Sequence, residues 1–318
     1  MTKIDWIRRG LLVSPGANIP GYTHASHPCA IQLEEDNFCL IFSMRDVRKR
    51  SYIFTHLCTV KAGEIKVVGS AKQALAPGRI GTFDSEGLLA CAPVKVNDEK
   101  FYFYYSGWNN LTNNLWLCDT GLAVIDIRSL SFTKIFEGPV MARDKHNPFF
   151  AAATSVLYEK GIFRSWYNSG LDWILEADGS FKPKYAIHYA ESADGIDWKF
   201  FNQQVIPFSD EHEHSFGRPC VVLWDNLYHM WFSCRGAKQN PQYRIGYACS
   251  EDGRRWTRRD SECGIKISEN KSDFDGSAQS YPYAFEHGEF RYLLYSGNEY
   301  GATGFGYAVS KRKLVKCV

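Results

Sequence analysis

Asp84, Glu86 and Asp275 are carboxylates, and His27 and His214 imidazoles, of the kinds that hold or move protons when placed beside a reacting bond. Arg45, Arg218 and Arg235 are fixed cations whose planar fork suits bidentate capture of a carboxylate or phosphate. Trp108, Trp173 and Tyr281 offer aromatic faces for apolar C–H surfaces, while Asn168, Asn298 and His24 offer the hydrogen-bonding edges that a hydroxyl-rich ligand needs. These residues are spread from position 24 to position 298, so they can work together only if the fold gathers them.

A repeat supplies the means. Phe42-Ser43-Met44, Tyr105-Ser106-Gly107, Asn168-Ser169-Gly170, Phe232-Ser233-Cys234 and Tyr295-Ser296-Gly297 place a serine at steps of 63, 63, 64 and 63 residues. Self-similarity at a fixed period marks units that bury their apolar faces by stacking on one another. Each serine closes a short aromatic and β-branched run, such as Phe101 to Tyr105 or Phe290 to Tyr295, that reads as a strand. Upstream lies a second apolar segment holding Pro28, Pro93, Pro219 or Pro282, with Thr154-Ser155-Val156-Leu157 in the third repeat; the prolines are expected to open these strands. Polar connectors such as Asn97-Asp98-Glu99-Lys100 join the two as hairpins. A third strand follows each serine, and Asp194-Gly195 and Asp252-Gly253 turn the chain into a fourth.

Four antiparallel strands in each of five repeats predict an all-β fold, a five-bladed β-propeller forming a single domain over 1–318. The blades are expected near 22–80, 81–145, 146–208, 209–270 and 271–310, with Gly10 to Val13 supplying the last outer strand and closing the ring. In an antiparallel blade the start of the first strand and the end of the second share one face. That topology places His24, His27, Asp84, Glu86, His214, Arg218, Asp275 and Tyr281 at the same mouth as Arg45, Trp108, Asn168, Trp173, Arg235 and Asn298. The implied ligand is a small sugar or sugar-nucleotide with an anionic group.

A formal charge of +2 gives no basic stripe for nucleic acid, and no apolar run is long enough to span a bilayer. The opening residues hold no signal-peptide core, and the ten cysteines form no CxxC pair, which together imply reduced thiols in the cytoplasm. His24 and His27 lack a third ligand at recognisable spacing, so no metal and no cofactor is expected.

The Tyr-Ser-Gly motifs, Phe83-Asp84-Ser85-Glu86-Gly87 and the two Ser-x-Asp-Gly-x-x-Trp hairpins resemble the glycoside hydrolase family 43-like five-bladed propellers, in particular those encoded among bacterial surface-polysaccharide biosynthesis genes. The resemblance implies a carbohydrate-active, glycosidase-like enzyme with three acids on the inner strands of the first three blades. Only Asp84 matches that set; Ser26-His27-Pro28-Cys29 and Ala151-Ala152-Ala153-Thr154 hold no carboxylate. Cleavage of a glycosidic or glycosyl-phosphate bond would then use Asp84 with Asp275 or Glu86 and with His27 assisting. The alternative is a propeller that binds a glycan or nucleotide sugar without turning it over.

Overall fold

A computed structural model describes residues 4–17, 19–111 and 115–312. The protein is all-β. Strands β2 (Tyr22–Glu34), β3 (Asn37–Asp46), β4 (Ser51–Lys61) and β5 (Glu64–Leu75) form an antiparallel meander. The pattern recurs in β6 (Gly87–Lys95), β7 (Lys100–Asn110), β8 (Trp116–Asp126) and β9 (Ser131–Lys134). A third meander comprises β10 (Ala151–Glu159), β11 (Ile162–Leu175), β12 (Phe181–Ser192) and β13 (Lys199–Gln204). The fourth consists of β14 (Ser215–Trp224), β15 (Leu227–Arg235), β16 (Arg244–Ser250) and the short β17 (Thr257–Arg258). Last come β18 (Ser280–His287), β19 (Phe290–Ser296) and β20 (Phe305–Lys311), with β1 (Ile7–Val13) pairing antiparallel on β20.

The first strands contact one another in chain order, β2 to β6 to β10 to β14 to β18, and β18 also contacts β2. Stacking the meanders this way buries both faces of the second strands, which is why Phe38 to Met44 is an unbroken apolar run with a single serine in it. Aromatic rings fill the wedges between meanders. Phe42 packs on Phe305, and fully buried Trp166 packs on Tyr228 of the next meander. Each Asp-Gly turn locks onto the preceding meander: Tyr104 donates to the Gly195 carbonyl and Trp166 to that of Gly253, both at 2.8 Å. Ser192 and Ser250 accept from the turn glycine's N–H, so these hairpins are built from within.

The prolines do not open strands. Pro28, Pro219 and Pro282 lie inside β2, β14 and β18, at the second residue of a two-residue gap in the ladder, between Ser26 and Cys29, Gly217 and Cys220, and Ser280 and Tyr283. A residue with no N–H is tolerated where the ladder is already skipped. No helix of the described residues is long and apolar enough to cross a membrane. The nine described cysteines are buried; Cys317 lies outside the described residues.

Candidate functional site

The gaps in the first strands shape the site. The first gap residue has a left-handed backbone in four meanders: His27 (φ 53°), Ala153 (φ 51°), Arg218 (φ 27°) and Tyr281 (φ 55°). That conformation is costly for residues other than glycine, and it persists where surrounding structure enforces it. Here the repeated serine enforces it in three cases out of four. Ser106 Oγ accepts from Ala153 N at 2.8 Å, Ser233 from Tyr281 N at 2.7 Å and Ser296 from His27 N at 3.1 Å, while Ser43 accepts from Ala90 N at 3.0 Å.

In the third meander the strand register puts Asn168, not Ser169, in the serine's place: Ala152 pairs with Asn168 as Leu89 pairs with Ser106. Asn168 Nδ2 donates to the Phe216 carbonyl of the next meander. The glycine after the serine has a different task. A Cβ on Gly107 would collide with Phe83 and Asp84.

All four left-handed residues line a cavity of about 480 Å³ where the first strands converge. Its lining combines cations and aromatic rings. Arg45, Arg48, Lys49 and Arg50 arrive from the end of β3 and its turn, Arg218 from the β14 gap and Arg235 from the end of β15. Arg50 is neutralised by Asp46 at 2.8 Å. Arg218 is 1% exposed, and its two terminal nitrogens donate to the carbonyls of Cys91 at 2.9 Å and Tyr281 at 3.2 Å. Arg235 lies 4.8 Å from the Tyr243 ring centre and donates to Tyr300 Oη at 2.8 Å, while its buried Nε has no acceptor. The ion pairs of the described residues give Arg45, Arg218 and Arg235 no carboxylate partner within 4.0 Å.

Trp108, Trp116 and Phe150 also line the cavity, with Trp108 Nε1 held at 2.8 Å by Oγ of Ser51, the strand partner of Arg45. Among the described residues Glu86 is the one carboxylate lining the cavity, and Asn110 Nδ2 donates to it. Buried Asn168 presents an Oδ1 with no protein partner. His27 stacks on Tyr281 with ring centres 3.6 Å apart. Burial, and then Arg218 and Arg45, hold its pKa well below the ordinary value, so the ring is neutral.

Asp84 and Asp275 do not line this cavity. Asp84 is 2% exposed and is enclosed by Lys134 Nζ at 2.6 Å, Thr82 Oγ1 at 2.9 Å and Tyr105 Oη at 3.2 Å. Asp275 is fully buried against Arg8 at 2.5 Å, Gln279 at 2.8 Å and Tyr295 Oη at 3.0 Å. Tyr167, the third-meander counterpart of Tyr105, donates instead to the neutral Asn147. Both carboxylates are held in buried hydrogen-bond and ion-pair networks. In the second, fourth and fifth meanders an acid ahead of the first strand grips a cation of the outermost strand: Asp84 with Lys134, Glu213 with Arg258 and Asp275 with Arg8.

Four further candidates also fall outside the lining. Trp173 packs behind Trp116 at 5.3 Å. Asn298 is spent on Ser277 N, Ala278 N and the Asp273 carbonyl. His214 is tied to Ser215 Oγ at 2.6 Å and the Pro183 carbonyl, and His24 to Thr23 Oγ1. Burial, then Arg235 for His214 and Arg45 for His24, lowers both imidazoles to about 4.

The structure does bring together His27, Arg45, Glu86, Trp108, Asn168, Arg218, Arg235 and Tyr281. It adds Tyr185, Tyr243 and Tyr300, and Tyr185 and Tyr243 share a 2.6 Å hydroxyl contact. Tyr243 lies beside the start of the third strand β16, and Tyr185 lies within β12 opposite Gly170 of β11; the basic run Arg45 to Arg50 was the visible signal for Arg48, Lys49 and Arg50. A larger groove of about 700 Å³ between the fourth and fifth meanders is lined by Glu213, Arg258 and Asp260, whose charges are already paired. Among the described residues no three His, Cys, Asp or Glu side chains stand close enough to hold a metal ion.

Known proteins match this architecture. The structure superposes on a glycosyl hydrolase from Bacteroides ovatus at a TM-score of 0.70 and 12% identity, covering 97% of this chain and 94% of that one. It superposes on the GH43_1 enzyme from Xanthomonas citri complexed with xylose at 0.63 and 14% identity, covering 95% and 90%. A third match is the β-1,2-mannobiose phosphorylase from Listeria innocua at 0.69 and 12% identity, covering 98% and 97%. At these identities the likeness is one of fold, that of glycoside hydrolase-like propeller enzymes. No family model matches the chain. In sequence it is 34% identical over 305 residues to protein MT1551 of Mycobacterium tuberculosis, covering 96% of this chain and 98% of that protein. The chain belongs to the family of this mycobacterial protein.

Proposed function

We propose that the chain is a single five-bladed propeller, one meander per blade, closed by β1 on β20, and that its axial cavity takes a sugar bearing an anionic group. Contact of β18 with β2 and the Ser296 to His27 hydrogen bond support closure. The observation that carries the ligand reading is the buried guanidinium of Arg218 and the half-buried Arg235, whose Nε is buried without an acceptor, both lining a cavity with no acid within 4.0 Å of them among the described residues. Burying a charge without a counter-charge is costly, and a bound anion relieves that cost. Indole faces at Trp108 and Trp116 then suit the apolar side of a sugar ring, and Asn168 Oδ1 suits one of its hydroxyls.

For chemistry the cavity offers one carboxylate among the described residues, Glu86. Hydrolysis across a glycosidic bond uses two, an acid and a base or nucleophile. Glu86 is therefore assigned as the acid–base group for a bond between a sugar and an anionic leaving group or nucleophile, for which a second carboxylate is not required. That same scarcity of acids favours the second reading, a propeller that binds the sugar without turnover. Product analysis decides between them: wild-type protein and Glu86→Gln are incubated with sugar phosphates and nucleotide sugars. Turnover lost in Glu86→Gln with binding kept supports the enzyme; saturable binding with no product from wild-type supports the binding protein.

A further inference from the structure

We propose that the anion held in the cavity is a phosphoryl group, carried on the sugar as an ester or glycosyl phosphate, rather than a carboxylate. This rests on the reading of the cavity as a sugar site and specifies its substrate class. Three observations point the same way.

The first is the amount of charge. Arg45, Arg218 and Arg235 line the cavity without an acid partner within 4.0 Å among the described residues, and Arg48 and Lys49 add to them from the β3–β4 turn. One carboxylate brings a single negative charge, which one guanidinium can satisfy bidentately. A phosphate monoester brings about −1.5 to −2.

The second is direction. Arg218 rises from the β14 gap, Arg235 comes from the end of β15, and Arg45 comes from the end of β3 in another meander, with Tyr281 of β18 between them in the order of first strands. Donors arriving from separate elements fit a tetrahedral group with three oxygens, whereas a planar carboxylate is matched by a single planar fork.

The third is donor availability. Arg218 uses one bond from each terminal nitrogen, to Cys91 and Tyr281, out of five N–H donors. Arg235 has a buried Nε with no acceptor. His27 adds no positive charge of its own, since burial and the two neighbouring arginines keep it neutral. Glu86 accepts from Asn110 Nδ2 and lines the same cavity as Trp108 and Trp116.

The test is binding to the full chain by calorimetry and thermal shift, at fixed ionic strength, with inorganic phosphate, pyrophosphate, glucose 1-phosphate, glucuronate and glucose as probes. Inorganic phosphate is expected to bind saturably and to raise Tm, with glucuronate failing to do so. Arg45→Ala and Arg235→Lys, the latter keeping the charge but losing the fork, are each expected to weaken phosphate by roughly tenfold. Arg218 is avoided because it also bridges two backbones. Glucuronate binding more tightly than phosphate, and dependent on the same arginines, overturns the phosphoryl assignment while leaving the anionic-sugar reading intact. Absence of saturable binding by any anion overturns both, as does phosphate binding that the two arginine variants leave unchanged.

Discussion

The backbone N–H of His27 donates to the side-chain hydroxyl of Ser296 at 3.1 Å, joining residues 269 positions apart. It repeats, between the last and first meanders, the bond that Ala153 makes to Ser106 and Tyr281 to Ser233 between neighbours in the chain. The recurring serine is thus an inter-meander clasp at Ser43, Ser106, Ser233 and Ser296, and in the last three of these what it clasps is a left-handed residue that faces the cavity. Fold and site are specified by the same hydrogen bond.

Replacing Ser296 with alanine leaves the buried His27 N–H without an acceptor. An unsatisfied buried donor costs about 1–3 kcal/mol. Urea unfolding of Ser296→Ala is expected to show a lower midpoint by that amount, and phosphate affinity should fall with it because His27 and Tyr281 are stacked at the cavity. An unchanged midpoint would show that the clasp contributes nothing.

Asp84→Asn tests whether this acid anchors or catalyses. Its partner Lys134 is held at 2.6 Å, and removing one member of a buried pair costs about 3 kcal/mol. The variant is expected to unfold at lower urea concentration yet to bind inorganic phosphate as wild-type does once folded. Loss of turnover with unchanged stability would return Asp84 to the reacting groups.

Stability should fall as the solution is acidified below neutrality. His188, His214 and His229 have pKa values lowered to about 4, chiefly by burial, and His27 is also held low. An unfolded histidine takes its proton near 6.5. Because the folded values lie below the unfolded one, their contribution is complete above about pH 6.5 and is lost progressively down to about 4. Unfolding midpoints measured from pH 7.5 to 4.5 should decline across this window, and a flat profile would contradict the burial of these rings.

Asp119 should act in the opposite sense. It is 8% exposed, its Oδ1 has no hydrogen-bond partner, and burial raises its pKa to about 6 despite the opposing charge of Arg143. The cost of its ionised form is complete above pH 6 and disappears as pH falls toward 3.8. Asp119→Asn is expected to gain on the order of 2 kcal/mol at pH 8 and clearly less at pH 5, read from urea midpoints at the two values. An equal gain at both would point to packing rather than charge.

The amino-acid pattern alone made much of this visible. Aromatic runs ending in Tyr-Ser-Gly, polar hairpin connectors and Asp-Gly turns each have a local cause, so strand order and repeat length could be read directly from the chain. Antiparallel pairing also fixed which strand ends share a face, and eight of the fourteen chosen residues do line the cavity. The choice between Ser169 and Asn168 was not local. A slip of one residue in a strand reverses every side chain, and only pairing with Ala152 settles it.

Which acids line the cavity was decided by tertiary contacts. Asp84, Glu86 and Asp275 occupy similar places in the sequence, yet Lys134 and Tyr105 draw Asp84 inward and Arg8 and Tyr295 draw Asp275 inward, leaving Glu86 at the cavity. Lys134 lies 50 residues from its partner and Arg8 lies 267. Local sequence sets the conformations a segment prefers, but a carboxylate's orientation follows the strongest charge that the fold brings beside it, and that charge comes from far along the chain.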